Sequence, residues 1–202
     1  MTKQQALDKF HSRDFSWSQM SSYIWSPEQW YKSYILGERQ ESEELSFGKM
    51  IDERIQNDPL FIPKLPRYEK MQHRMKVVFN GKTLVGVPDG INFTTKPKVL
   101  ADYKTGRNIW TSKKAKETGQ LKFYLLLIYT TEKIKPEEFD CYIHWLPTQL
   151  CESGDFTRTI SLVDENNFKS FKVKHTLADI LRFAGEINDI YKQMELFIEN
   201  HE

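Results

Sequence analysis

The chain has 202 residues, enough for one well-buried core with a helical appendage. Hydrophobic residues make up 39% and charged residues 28%, a balance that excludes a disordered or membrane-embedded chain and indicates a soluble, globular one. The net charge of +1 excludes a uniformly basic or acidic surface, although acids gathered in one site can still leave a basic face elsewhere.

Residues 1–15 are polar and lack the apolar core of a secretory signal, so none is expected. Residues 16–36 read as helix, capped by Ser16 or Ser18 and split in two by Pro27. This stretch is densely aromatic, with Trp17, Tyr23, Trp25, Trp30, Tyr31 and Tyr34. Residues 42–56 form a second helix, with Leu45, Met50, Ile51 and Ile55 near helical spacing. The middle is β. Residues 71–79 alternate in polarity, Asn80-Gly81 is a hairpin turn, and residues 82–93 return as the next strand. Residues 98–103 are a short apolar strand, and residues 113–130 a helix with a buried second half. No run is long enough to span a membrane, the longest being residues 123–129. Residues 139–146 and 157–163 are two more strands, and residues 176–199 a terminal helix with an apolar stripe from Leu177 and Leu181 to Ile198. The order α, α, β, β, β, α, β, β, α predicts an α/β fold, a central mixed sheet flanked by helices. With no repeat and no linker, one domain is expected over residues 1–202: a helical part to residue 60, an α/β core over 61–175 and the C-terminal helix from 176. Cys141 and Cys151 form no CxxC pair, which suits a reduced, cytosolic protein.

The chemistry lies in Gly86-Val87-Pro88-Asp89-Gly90 and Leu100-Ala101-Asp102-Tyr103-Lys104. Pro88 interrupts strand pairing, so the Asp89 carboxylate can leave the sheet. Asp102 and Lys104 are two apart in a strand and face the same side. Tyr103 faces the opposite side, with its carbonyl still free to bind a cation. A surface Asp-x-Lys is commonly a solvated ion pair worth little. Here the apolar run before Asp102 places the acid at the lip of a buried strand, and a second strand-end acid precedes it. Two carboxylates beside an ammonium are minimal equipment for metal-dependent phosphodiester hydrolysis, in which Mg²⁺ or Mn²⁺ neutralises developing charge. Gln120 and Tyr124 lie one helical turn apart and share a face.

Asp89, Asp102-x-Lys104 and Gln120-x-x-x-Tyr124, in that order, resemble the PD-(D/E)xK nuclease superfamily and its RecB-like branch. Ser16-Trp17-Ser18 through Ser26-Pro27-Glu28-Gln29-Trp30-Tyr31 resembles that branch's N-terminal segment, and the likeness covers most of the chain. The resemblance implies a restriction-endonuclease-like core and a metal-dependent DNA exonuclease of recombination, repair or phage DNA metabolism, in the cytoplasm of a bacterial or phage-infected cell, with a non-catalytic nucleic-acid-binding relative, or a structure-specific or RNA endonuclease on the same fold, as the alternatives. It implies Asp89, Asp102, Lys104, Gln120 and Tyr124 as catalytic. Asp52, Asp89, Asp102 and the Tyr103 carbonyl would be metal ligands, and Gln120, Tyr124, Lys113 and Lys114 would meet the substrate. The expected partner is DNA, at ends or as single strands, with a homo-oligomer or a recombination protein as the assemblies the resemblance allows and no membrane.

Two departures stand out. In Gly48-Lys49-Met50-Ile51-Asp52, aspartate occupies the place of the branch's usual histidine. Asp52 then either completes an all-oxygen metal shell, with Glu53 as a neighbouring substitute, or belongs to a solvated helix face. Ser26-Pro27 replaces the Cys-Pro of iron–sulfur relatives, and two cysteines cannot hold a four-thiolate cluster. Other readings remain open. Tyr124 serves the site or the core. Trp25, Trp30 and Tyr31 stack on unpaired bases or glue a helical cap, the cap being favoured for most of them. Lys113, Lys114 and Lys116 oppose the dipole at a helix start, which suits an anionic ligand or plain solvation. Arg107, Asn108 and Trp110 form a loop placed near the substrate. His73, His144 and His175 have no metal spacing and receive no role.

Overall fold

The computed structural model describes residues 1–38, 42–152, 158–164 and 167–201. The chain opens with α1 (Lys3–His11), closed by a capping box between Thr2 and Gln5. The sequence reading leaves this helix out because only Ala6 and Phe10 bury, one turn apart. After the two-residue strand β1 (Phe15–Ser16) come α2 (Trp17–Trp25) and α3 (Pro27–Trp30). Ser16 caps the first and Ser26 the second, where Pro27 takes the N1 position that needs no N–H. A π-helical segment, Tyr31–Leu36, continues α3 and stops at Gly37, whose φ of 85° few other residues adopt. α4 (Glu43–Asn57) is capped by Ser42 and buries Ile51 and Ile55. Leu45 and Met50, read as part of that stripe, are exposed.

The strands form two sheets rather than one. β3 (Met75–Phe79) and β4 (Lys82–Gly86) pair antiparallel across Asn80-Gly81, both with positive φ as a type I′ turn requires. β1 lies parallel on the other side of β4. The larger sheet runs β2 (Lys70–Met71), β5 (Gly90–Asn92), β6 (Lys98–Gly106) and β7 (Phe139–Glu152). β8 (Arg158–Leu162) pairs with the second half of β7 and β9 (Lys169–Val173) with its first half. β6 and β7 are parallel, with Asp102 beside Ile143 and Lys104 beside Trp145. The strands expected over 71–79 and 82–93 are each divided: Gln72, at φ 48°, separates β2 from β3, and Val87-Pro88-Asp89 carries the chain from the small sheet to the large one. The expected start of β8 at Thr157 lies outside the described residues.

The helix expected over 113–130 is also two, α5 (Ser112–Glu117) and α6 (Gly119–Glu132). Thr118, with ψ 130°, breaks it. Just past the break, Gly119 lies under Trp17 and Phe183, and a Cβ there would come within 2.3 Å of the indole. α6 is buried almost all round from Leu121 to Ile128, as befits a crossover between parallel strands. α7 (Leu177–Asn200) buries Ile180, Phe183, Ala184, Ile187, Tyr191, Met194 and Ile198, while Leu181 faces solvent.

Two apolar cores result. The larger joins α1, α6 and α7 to both sheets, and the smaller packs Ile51, Ile55, Phe61, Ile62 and Leu65 against Tyr103 and Leu146. The aromatic segment is mainly the glue of the helical cap. Trp30 is fully buried, edge-on to Phe10, Tyr23 and Phe197, so the first helices are tied to the last. Trp25 is the exception at 79% exposed. The protein is thus an α/β fold of mixed sheets flanked by helices, with an aromatic N-terminal helical region and a long C-terminal helix. Among the described residues no helix is long and apolar enough to cross a membrane.

Candidate active site

β6 presents Asp102 and Lys104 on one face, and their Oδ2 and Nζ atoms meet at 2.5 Å. Asp102 is buried to 1% exposure. α6 supplies its second partner: Gln120 donates from Nε2 to Asp102 Oδ1 at 2.7 Å, and the same nitrogen lies 2.8 Å from Tyr124 Oη. Tyr124 Oη in turn donates to the Val87 carbonyl at 3.2 Å. The helical spacing of Gln120 and Tyr124 therefore becomes a brace linking Asp102 to the crossing that carries Asp89. Burial, with Asp102 next, raises the Tyr124 pKa, so its phenol stays a neutral donor. The Tyr124 ring lies in the core, while its hydroxyl reaches Gln120 and the Val87 carbonyl beside Asp102.

Asp89 precedes Gly90, which pairs with Ala101, so it stands across from Asp102 where strand pairing stops. Its Oδ2 accepts the Tyr103 N–H at 2.7 Å, and its Oδ1 accepts from Gln72 Nε2 at 2.7 Å. Gln72 also donates its backbone N–H to the Asp89 carbonyl at 3.3 Å. The left-handed backbone of Gln72 allows this two-point hold. Sequence reasoning missed it, since a lone glutamine between two strand segments carries no signal. Gly90 makes room here, because a Cβ would fall 2.0 Å from the Tyr68 ring.

The third acid comes from α4. Gly48 lets this helix approach β6, since a Cβ would sit 3.2 Å from Thr105 Oγ1. One turn on, Asp52 is half-buried, and its pKa is pushed up to about 6 by burial and then by repulsion from Asp102, with Lys104 opposing. Asp52 thus senses the charges of the β6 site, while Glu53 is exposed. Burial, followed by Asp102, holds the Asp89 carboxyl well above its ordinary value; Lys104 and the Tyr103 N–H pull the other way, and Asp52 adds to the rise. Burial works against the Lys104 charge, but Asp102, Asp89 and Asp52 outweigh it and raise its pKa. One ammonium faces the charge of three acids, so the ionised site has excess negative charge.

The donor set suits a hard cation. Asp102 Oδ2 is buried and touches Lys104 but receives no well-aligned hydrogen bond, and the site is otherwise all oxygen. Among the described residues no three His, Cys, Asp or Glu groups close into a cage.

The predicted substrate lysines lie apart from this cluster. Lys113 is 83% exposed at its side chain and pairs with Glu117 within α5 at 3.9 Å. Lys114 Nζ lies 4.5 Å over the Trp110 ring. Neither belongs to the first turn of the Gln120 helix, because the chain breaks at Thr118. Arg107 pairs with Glu44 at 3.5 Å, whereas Trp110 borders a groove that reaches Lys104 and Gln120. His144 is a buried packing residue, held by Tyr68 and by Ser170 Oγ at 2.8 Å, and burial pushes its pKa down to about 4.

No family model matches the chain, and no curated protein does. Among solved structures, a protein from Eubacterium rectale named as a candidate exonuclease superposes with a TM-score of 0.57 at 13% identity, over 96% of this chain and 84% of that one. The two share a fold. The protein SSO0001 matches at a TM-score of 0.48 and 13% identity, over 93% of this chain and 83% of that one.

Proposed function

We propose that this chain is a divalent-metal-dependent DNA nuclease of the PD-(D/E)xK, RecB-like kind, working from DNA ends. The observation that carries the reading is the buried Asp102 carboxylate, clamped between Lys104 Nζ and Gln120 Nε2, with Asp89 fixed opposite it. A purely structural ion pair needs neither the second buried acid nor the half-buried third, and their mutual repulsion would be a net cost. Such an arrangement makes sense where a cation and a phosphate complete it. The name given to the Eubacterium rectale protein of like fold supports the end-directed mode.

Asp89 and Asp102 would hold Mg²⁺ or Mn²⁺, with Asp52 and the Tyr103 carbonyl as further ligands. The ion would supply charge neutralisation at the phosphate and a water acidic enough to attack. The chain's own residues divide the remaining work. Lys104 orients the attacking water and offsets negative charge building on the phosphate oxygens. Gln120 fixes the Asp102 carboxylate plane, and Tyr124 anchors Gln120 to the Val87 carbonyl. Gln72 and the Tyr103 N–H fix the plane of Asp89.

Cleavage of end-labelled linear and closed circular DNA, single- and double-stranded, with Mg²⁺, Mn²⁺ or EDTA tests this. Metal-dependent loss of linear DNA with circles spared is the expected result. Nicked circles would replace the end-directed mode with an endonuclease. Metal-dependent binding with no cutting would make the chain a non-catalytic relative, with Asp52 as the first suspect.

A further inference from the structure

Between α2 and the Lys104–Gln120 cluster runs an open groove of about 530 Å³. Trp17, Trp25 and Trp110 line it, Ser22 adds a hydroxyl, and Lys104 and Gln120 form its inner end. The groove is therefore continuous with the candidate active site. Its tryptophans differ in kind. Trp17 packs on Phe183 and over Gly119 as a fixed wall. Trp25, by contrast, is 79% exposed at the end of α2, and among the described residues no aromatic ring packs against it. Trp110, on the opposite rim, carries the Lys114 ammonium 4.5 Å above its ring. A single exposed ring is ordinary, but Trp25 shares one groove with Trp17 and Trp110, and three indoles along a groove that ends at the candidate site form an aromatic surface suited to flat ligands.

We propose that this groove binds single-stranded DNA, with unpaired bases stacked on Trp25 and Trp110 while the phosphates run toward Lys104. This rests on the nuclease reading of the site. The volume suits one or two nucleotides, Lys104 lies at the inner end where a phosphate would arrive, and aromatic faces accept any base without sequence preference. The consequence is specificity: a frayed or single-stranded end is preferred to a blunt duplex, whose paired bases cannot reach the indoles.

The test uses the full chain with Trp25→Ala, Trp110→Ala and Trp25→Phe. Binding of fluorescein-labelled oligothymidylate and of a blunt hairpin duplex is followed by anisotropy at low ionic strength in Ca²⁺, which offsets the charge of the acids, with a gel showing that the probe stays uncut. The alanine variants are expected to lose single-strand affinity by about fivefold or more each, with duplex affinity little changed. The Phe variant should keep most of the affinity, and both Trp25 variants should keep the parent's melting temperature because that ring is 79% exposed; Trp110 packs partly against the main core, so Trp110→Ala is compared with the parent at a temperature where circular dichroism shows both folded. No single-strand binding by the parent chain, unchanged affinity in both alanine variants, or equal losses for single strand and duplex would each overturn the proposal. Tryptophan-dependent binding with no metal-dependent cutting would leave the groove standing and remove the nuclease. Cutting with no dependence on Trp25 or Trp110 would do the reverse.

Discussion

Replacing Asp52 with Asn should make the metal-free protein more stable at neutral pH and less able to bind metal. The carboxyl titrates near 6 in the fold against an ordinary 3.8. A raised pKa means the folded state holds the proton more tightly than the unfolded chain. Below 3.8 both states are protonated; between 3.8 and 6 the unfolded chain ionises first and stability falls; above 6 the loss is complete. That gap corresponds to a ceiling of about 3 kcal/mol, at about 1.4 kcal/mol per pH unit. Remaining solvent contact at a half-buried side chain reduces the expected gain from Asp52→Asn to about 1–2 kcal/mol at pH 8. The assay is urea denaturation of both proteins in EDTA at pH 8 and pH 4. His144 and His175, whose pKa values burial pushes down to about 4, lose stability in the opposite direction as pH falls through that value. The difference between the two proteins therefore carries the prediction. It should be near zero at pH 4 and favour the variant at pH 8. Equal stability at pH 8, or a less stable variant, would refute the idea that burial, with Asp102 beside it, makes the ionised Asp52 a cost to the fold.

Three further outcomes follow from the geometry. Gln72→Ala removes the donor to Asp89 Oδ1; it should weaken Mn²⁺ binding, read by calorimetry, by about tenfold or more, because a carboxylate without its orienting partner is a poorer ligand. Gly90→Ala drives a Cβ to 2.0 Å from Tyr68 Cδ2, and should cost about 1–3 kcal/mol in denaturant unfolding as an overpacking change. Tyr124→Phe leaves the ring in the core but cuts the link to Val87; it should cost about 1 kcal/mol and slow cleavage more than it raises KM.

Legibility followed the strength of local signals. Asn80-Gly81 and Pro88 impose backbone conformations that few contexts override, so the hairpin and the interrupted pairing before Asp89 could be read directly, whereas the passage of the chain at Pro88 into a second sheet could not. The two-residue period of a strand placed Asp102 and Lys104 together, and the helical turn placed Gln120 with Tyr124. What could not be read depends on distant packing. Thr118 breaks a run of helix formers just where Gly119 passes beneath Trp17, a contact between residues about 100 apart that no local pattern announces. The edge strand β9, Lys-Ser-Phe-Lys-Val, is too polar and short to declare itself. α1 shows only Ala6 and Phe10 as core positions, and Gln72 acts through a left-handed backbone that nothing in its neighbours announces. Trp25 and Trp30 look alike in sequence, and only the fold separates the exposed ring from the buried one.

The central claim is that Asp102 and Lys104 cut DNA with the help of a divalent ion. Single-turnover cleavage of linear DNA in Mg²⁺ and Mn²⁺ by the parent chain, Asp102→Asn and Lys104→Ala, with circular dichroism confirming each fold, tests it most directly. The account predicts cutting by the parent that EDTA abolishes, and rates at least about 100-fold lower in both folded variants. Folded variants that cut as fast as the parent would contradict it.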